Sequence, residues 1–159
     1  QGGGEEAVLE PLKDHLKDYE QLMMQYYGAG VQACYRGPRL YDAEVTRQTV
    51  SAVINWYKKY RQILNSDIIH LRRADGRDWD GILHVNPQLK QKGLMMLYNP
   101  TTSPITRTIK IPVYYTGLSS TVRIREKEGS LKTYTVSRDY KVELTVTIPA
   151  DSYTWFVFE

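Results

Sequence analysis

Lys141-Val142-Glu143-Leu144-Thr145-Val146-Thr147-Ile148 decides the fold. Val142, Leu144, Val146 and Ile148 alternate with Lys141, Glu143, Thr145 and Thr147. Successive side chains of a strand point to opposite faces, so this octet is a strand with one apolar and one wet face. A helix would need its apolar residues three and four apart. The same alternation sets Arg107, Ile109, Ile111 and Val113 against Thr106, Thr108 and Lys110. Working outward, strands are predicted near 67–73, 81–86, 93–99, 105–113, 120–127, 131–137, 140–148 and 153–158. The breaks carry turn chemistry: Asp75-Gly76, Asn99-Pro100, Glu128-Gly129 and Pro149-Ala150-Asp151. Short strands separated in this way predict a mostly β fold, an antiparallel β-sandwich of about eight strands.

The pattern changes once. Ahead of Asp67, Leu9, Leu12, Leu16, Tyr19, Met23 and Tyr26 lie on one helical stripe. A helix is predicted over 9–27, with Pro11 near its start and Gly28 as its stop. Val31-Gln32-Ala33-Cys34-Tyr35, bounded by Gly30 and Gly37-Pro38, reads as a buried strand with Cys34 in its core. A second helix follows. Asp42 is expected to cap it, and Val45, Thr49, Val53, Trp56, Tyr57, Tyr60 and Leu64 to form its buried face. The sandwich is thus preceded by a helix–strand–helix segment, with the domains expected at 1–66 and 67–159. Two helices and one strand cannot bury their own apolar faces, so the front segment needs a partner. Gln1-Gly2-Gly3-Gly4 reads as a flexible end. There is no internal repeat.

The chain of 159 residues carries a net charge of +3 from interspersed residues, 21 Lys+Arg against 18 Asp+Glu. Nothing forms a basic stripe, so nucleic acid is not an expected partner. No run approaches the length of a membrane span and no signal peptide is evident, so no membrane partner is expected. The one cysteine, Cys34, leaves the compartment open. Thirteen Tyr and three Trp against two Phe favour half-wet aromatic positions, which suit strands and sugar platforms alike. The sequence carries no phosphate loop, nucleophile elbow, CxxC or dinucleotide fingerprint, and no cofactor is expected.

Four stretches, taken in order, resemble the junction and C-terminal domain of glycoside hydrolases with a (β/α)8 catalytic barrel, particularly the retaining α-galactosidase-like group. They are Trp56-Tyr57-Lys58-Lys59-Tyr60-Arg61, Asp67-Ile68-Ile69-His70-Leu71-Arg72-Arg73, Gly93 to Thr101, and Ile148-Pro149-Ala150-Asp151-Ser152. The resemblance implies that residues 30–65 are the eighth strand and helix of a barrel, and that the sandwich is its accessory domain. A full barrel needs roughly 250 residues, more than this chain holds. The two catalytic carboxylates of such enzymes would come from earlier strands, so the chain is expected to hold no complete active site. The implied partners are an upstream catalytic barrel or another copy of the chain, with glycan as a further candidate. A secreted or periplasmic location would suit that role.

Two stretches are candidate substrate-binding sites. In the first, Arg36, Arg39, Tyr41 and Asp42 follow the predicted strand, where a barrel's catalytic face would lie. They could hydrogen-bond sugar hydroxyls, or they could simply shape the loop through ion pairs and a helix cap. The second is Asp75-Gly76-Arg77-Asp78-Trp79-Asp80-Gly81. Trp79 flanked by Asp78 and Asp80 could stack a pyranose and accept its hydroxyls. As a calcium loop the stretch fails the EF-hand register, and as a catalytic pair Asp78 and Asp80 lack an evident pocket. The remaining reading is a solvated hairpin turn. His15, His70 and His84 lack ligand spacing, and no metal site is expected. Of Tyr114 and Tyr115, one ring is expected in the core and the other outside.

Overall fold

In the computed structural model, which describes residues 8–35 and 37–159, the helix predicted over 9–27 forms in two steps. A 3-10 turn, Leu12–Asp14, comes first, and α1 spans Leu16–Tyr27. His15, at φ −123° and ψ 33°, interrupts helical geometry between them. The α-helical ladder therefore opens with the Tyr19 N–H donating to the His15 carbonyl at 2.9 Å. The stop also differs in detail. Gly28 has an ordinary right-handed φ of −65°, and the left-handed residue is Gly30 at φ 73°. The Val31 N–H reaches the Tyr26 carbonyl at 3.1 Å and the Gly30 N–H reaches Tyr27 at 3.0 Å. These are the two reversed bonds of a Schellman close, and only glycine enters that conformation freely.

The predicted strand at 31–35 does not form; the segment has no regular structure. Cys34, expected in a core, is exposed, and Val31 is 51% exposed. The reason is physical: a strand exists through the ladder it shares, and no described strand pairs with this segment. The second helix, α2, spans Glu44–Leu64. Its buried stripe is Thr46, Val50, Val53, Tyr60, Ile63 and Leu64; Val45, expected inside, is exposed. Helices α1 and α2 pack on one another and bury Leu12, Tyr19, Met23 and Met24.

Residues Gln1–Leu64 and Asn65–Glu159 are two compact units. The second contains eight strands: β1 Asp67–Arg72, β2 Asp80–Val85, β3 Gly93–Asn99, β4 Ile105–Pro112, β5 Thr121–Glu126, β6 Lys132–Thr135, β7 Lys141–Ile148 and β8 Ser152–Phe158. They form two antiparallel sheets, one of six strands in the order β1-β2-β3-β8-β5-β6 and one of β4 and β7. This is the expected sandwich. β7 alternates without a fault, from exposed Lys141 to buried Ile148. β4 pairs with it in full register, Ile105 opposite Ile148 through Pro112 opposite Lys141. On the wet face of that pair, Thr106 meets Thr147 and Thr108 meets Thr145, hydroxyl to hydroxyl at 3.0 Å. Arg107 departs from the alternation. It stands in an inward register position yet is exposed, because its guanidinium turns outward to Asp78.

The sandwich core gathers Leu83, Met95, Leu97, Ile111, Val142, Ile148 and Phe158 from both sheets. The central strands β3 and β8 are apolar on both faces. Leu94, Met96 and Val157 are fully buried although they face away from that core, and Met95 and Met96 are both inside. A side-chain network closes one end. Asn99, 2% exposed, donates through Nδ2 to the carbonyls of Ser103, Ile148 and Pro149 at 2.8–3.1 Å. Its Oδ1 accepts the N–H and hydroxyl of Thr101 at 2.9 and 2.7 Å. One amide thereby ties together five backbone and hydroxyl groups at the sheet end, where the Thr101 hydroxyl also lies 2.9 Å from the Ser103 carbonyl.

Candidate functional site

The loop ahead of α2 is held mainly by its own polar groups. Thr46 Oγ1 accepts the N–H groups of Asp42 and Ala43 at 3.1 and 3.0 Å. Its proton lies between Asp42 Oδ1 at 3.0 Å and the Ala43 carbonyl at 2.8 Å. The Ala43 N–H, an orphan donor at the helix start, is therefore capped from within the helix by Thr46, while Asp42, expected as the cap, accepts the Thr46 hydroxyl instead. Asp42 reaches the other way, and its Oδ2 accepts the Lys13 N–H at 3.3 Å. Desolvation works against its charge, yet the bonds from Lys13 and Thr46 together hold the carboxyl below its ordinary range. The Tyr19 hydroxyl donates to the Leu40 carbonyl at 2.7 Å, pinning the loop to α1.

Arg39 pairs with Glu10 at 3.4 Å, and Tyr41 is 51% exposed. Arg36 lies outside the described residues. Sequence reasoning missed Tyr35 as a member of this cluster. Its ring packs 5.0 Å from that of Tyr19, and its hydroxyl is buried without a hydrogen-bond partner among the described residues. Burial raises that phenol, with the nearby charges of Glu10 and Asp42 adding to the effect. Residues 39–42 are thus brought together, with Asp42 and Arg39 engaged in local bonds.

The β1–β2 hairpin carries the second candidate. Arg72 is its organiser: its guanidinium donates to Asp75 at 2.9 and 3.3 Å and to the Trp79 carbonyl at 2.6 Å. The Arg77 N–H adds a bond to Asp75 at 2.9 Å. These donors, Arg72 first, lower the Asp75 carboxyl to about 2. Asp78 accepts the Trp79 N–H at 2.8 Å and Arg107 at 3.3 Å. Asp80 is opposite Tyr98 in the β2–β3 ladder. Desolvation raises its carboxyl, an effect that Arg72 opposes and Asp75 reinforces. Burial likewise raises the Tyr98 phenol, with Asp80 adding to it.

Trp79 is partly buried and packs against the sandwich core. A side chain at Gly81 would lie 2.7 Å from the Met96 carbonyl, so glycine permits the close approach of β2 to β3 beside that indole. An open cleft of about 650 Å³ lies nearby, lined by His70, Arg72, Arg73 and Asp80 among others. The three acids of the hairpin thus serve different neighbours. His70 lies opposite Ile82 while His84 lies opposite Ile68, so the two histidines are diagonal neighbours. No group of three metal-ligating side chains occurs among the described residues. No helix among them is long and apolar enough to cross a membrane.

No family model matches the sequence, and no curated protein matches it. Solved structures do share the fold. An α-amylase from Geobacillus thermoleovorans, complexed with acarbose, matches 91% of this chain at a TM-score of 0.60 and 12% identity. The match takes in 33% of the amylase. α-Galactosidase I from Mortierella vinacea matches 95% at 0.60 and 15% identity, over 38% of its own chain. A β-L-arabinopyranosidase from Geobacillus stearothermophilus matches 90% at 0.58 and 9% identity, over 30% of its chain. The chain therefore has the fold of one part of glycoside hydrolases, and it spans about a third of their length.

Proposed function

We propose that this chain is the C-terminal part of a glycoside hydrolase. In this reading the sandwich, residues 67–159, is a non-catalytic accessory domain that packs on and stabilises a catalytic barrel, and residues 1–66 are the end of that barrel. The observation that carries the reading is the fold match itself: nearly all of this chain against about a third of each hydrolase. A second observation supports it. Val31 to Tyr35 has strand composition and no strand partner among the described residues, and Val31 at its start and Leu40 and Tyr41 after it are exposed. In a closed barrel such a segment would find a ladder on both edges and lose its exposed apolar surface.

The chemistry assigned to this chain is mechanical. A sandwich with its own core offers a barrel a folded neighbour to pack on. Such packing slows local opening of the barrel and so prolongs activity at raised temperature. The acid and nucleophile of hydrolysis, roughly 5–5.5 Å apart in retaining enzymes, would belong to the missing strands. The test has two arms. The purified 159-residue chain should not hydrolyse a panel of aryl glycosides, and the protein encoded by the full reading frame should hydrolyse at least one. Deleting residues 67–159 from that full protein should shorten its active half-life at raised temperature. Turnover by the chain alone, or a full reading frame without a barrel, would refute the assignment.

A further inference from the structure

Tyr114 and Tyr115 begin a 3-10 turn, Tyr114–Thr116, that follows β4. One ring was expected inside, but the buried residue is Val113, and Tyr114 and Tyr115 are 61% and 64% exposed. Two local features close the turn. The Thr116 hydroxyl, fully buried, donates to the Val113 carbonyl at 2.5 Å, and Gly117 closes the turn at φ 79°. The turn before β7 is tied to it, since the Val113 N–H donates to the Tyr140 carbonyl at 2.8 Å. That bond brings a third tyrosine alongside. The rings of Tyr115 and Tyr140 each stand nearly perpendicular to that of Tyr114, with centroids 5.1 Å away. Tyr140 is still 40% exposed.

Two features separate this cluster from incidental surface tyrosines. Tyr140 has a φ of 58°, a left-handed conformation that glycine or asparagine enters with less strain. A bulky ring therefore occupies a turn position that its own backbone disfavours, between Ser137 and Lys141. Next to Tyr115, moreover, lies a cleft of about 370 Å³, walled by Ile68, Val85 and Pro87 with Asp67 among its lining residues. The surface is thus a strip of three adjoining amphipathic rings that leads into a small, half-apolar recess lined in part by Asp67.

We propose that Tyr114, Tyr115 and Tyr140, with the Asp67 cleft, form a binding surface for the pyranose rings of a neutral oligosaccharide. The apolar C–H faces of a pyranose match the ring faces, and its hydroxyls match the phenols and the Asp67 carboxylate. The rings already pack on one another, so part of the side-chain ordering precedes the arrival of a sugar. The recess has the size of a small-molecule site, and a carboxylate within it disfavours an acidic glycan. A stable protein interface needs about 800 Å² from each partner, far more than three side chains and a recess of this size provide. The site lies wholly within the sandwich unit, so it stands or falls independently of whether a barrel precedes the chain.

Affinity electrophoresis tests the assignment, with the full 159-residue chain run in native gels cast with guar galactomannan, soluble starch or xyloglucan. At least one polysaccharide should retard the chain. Tyr115→Ala should weaken that retardation about tenfold, the loss of one good stacking contact. Tyr140→Gly should also weaken it while leaving the melting temperature equal or higher, because glycine fits the left-handed backbone. Migration unchanged in all three gels would overturn the proposal. So would undiminished retardation of the folded Tyr114→Ala/Tyr115→Ala double variant, which would place the sugar elsewhere.

Discussion

The segment from Val31 to Tyr41 and the sandwich from Asp67 onward treat their apolar residues in opposite ways. Every strand of the sandwich has a ladder, and its apolar residues from Leu83 to Phe158 close on one another. The described part of that segment has comparable composition but no ladder, and Val31, Leu40 and Tyr41 remain exposed. Hydrophobicity alone therefore does not make a core. It becomes stability only where backbone groups are also paired, since burying an unpaired amide costs more than a side chain returns.

The contrast can be broken by substitution, starting where the effect should be largest. Phe158→Ala removes a fully buried ring where β8 meets β3 and β5, and should destabilise the sandwich by about 3–5 kcal/mol in urea unfolding. A loss below about 1 kcal/mol would mean that the core is loosely packed. Asn99→Ala should lower stability by about 2–3 kcal/mol, because the bonds that tie the Ser103, Ile148 and Pro149 carbonyls and the Thr101 N–H to one amide are lost. A near-neutral result would show that water replaces the amide without penalty. Leu40→Ser, at a side chain 63% exposed, should stay within about 0.5 kcal/mol of the parent. If it instead proved strongly destabilising, Leu40 would be buried against something in solution and the contrast would disappear.

The legible part of the sequence was the part governed by local periodicity. β4 and β7 could be read almost to the residue because each has one wet and one dry face. β3 and β8 were legible as strands but not as doubly buried ones, since alternation vanishes when both faces are covered. The 31–35 segment misled for a complementary reason. Its residues do have the composition of a buried strand, but strand formation depends on neighbours that no local pattern encodes. Among the candidate site residues, the acids around Trp79 were conspicuous in sequence while the role of Arg72 was not. The arginine that organises the hairpin precedes it in β1 and looks like any strand cation. Tyr140 was equally hidden, because nothing local announces that its ring will meet Tyr114.

The order of strands in the large sheet bears on how the chain is made. β8 is the last of the eight to leave the ribosome, yet it belongs between β3 and β5. Until it emerges, β3 presents a bare hydrogen-bonding edge rich in leucine and methionine, the kind of template on which nascent chains aggregate. Closure must then bridge a long stretch of sequence, which makes the final step slow. Translation that stalls after β7 would thus release a species with its sheet open at the middle, one for chaperones to hold rather than one that could mature.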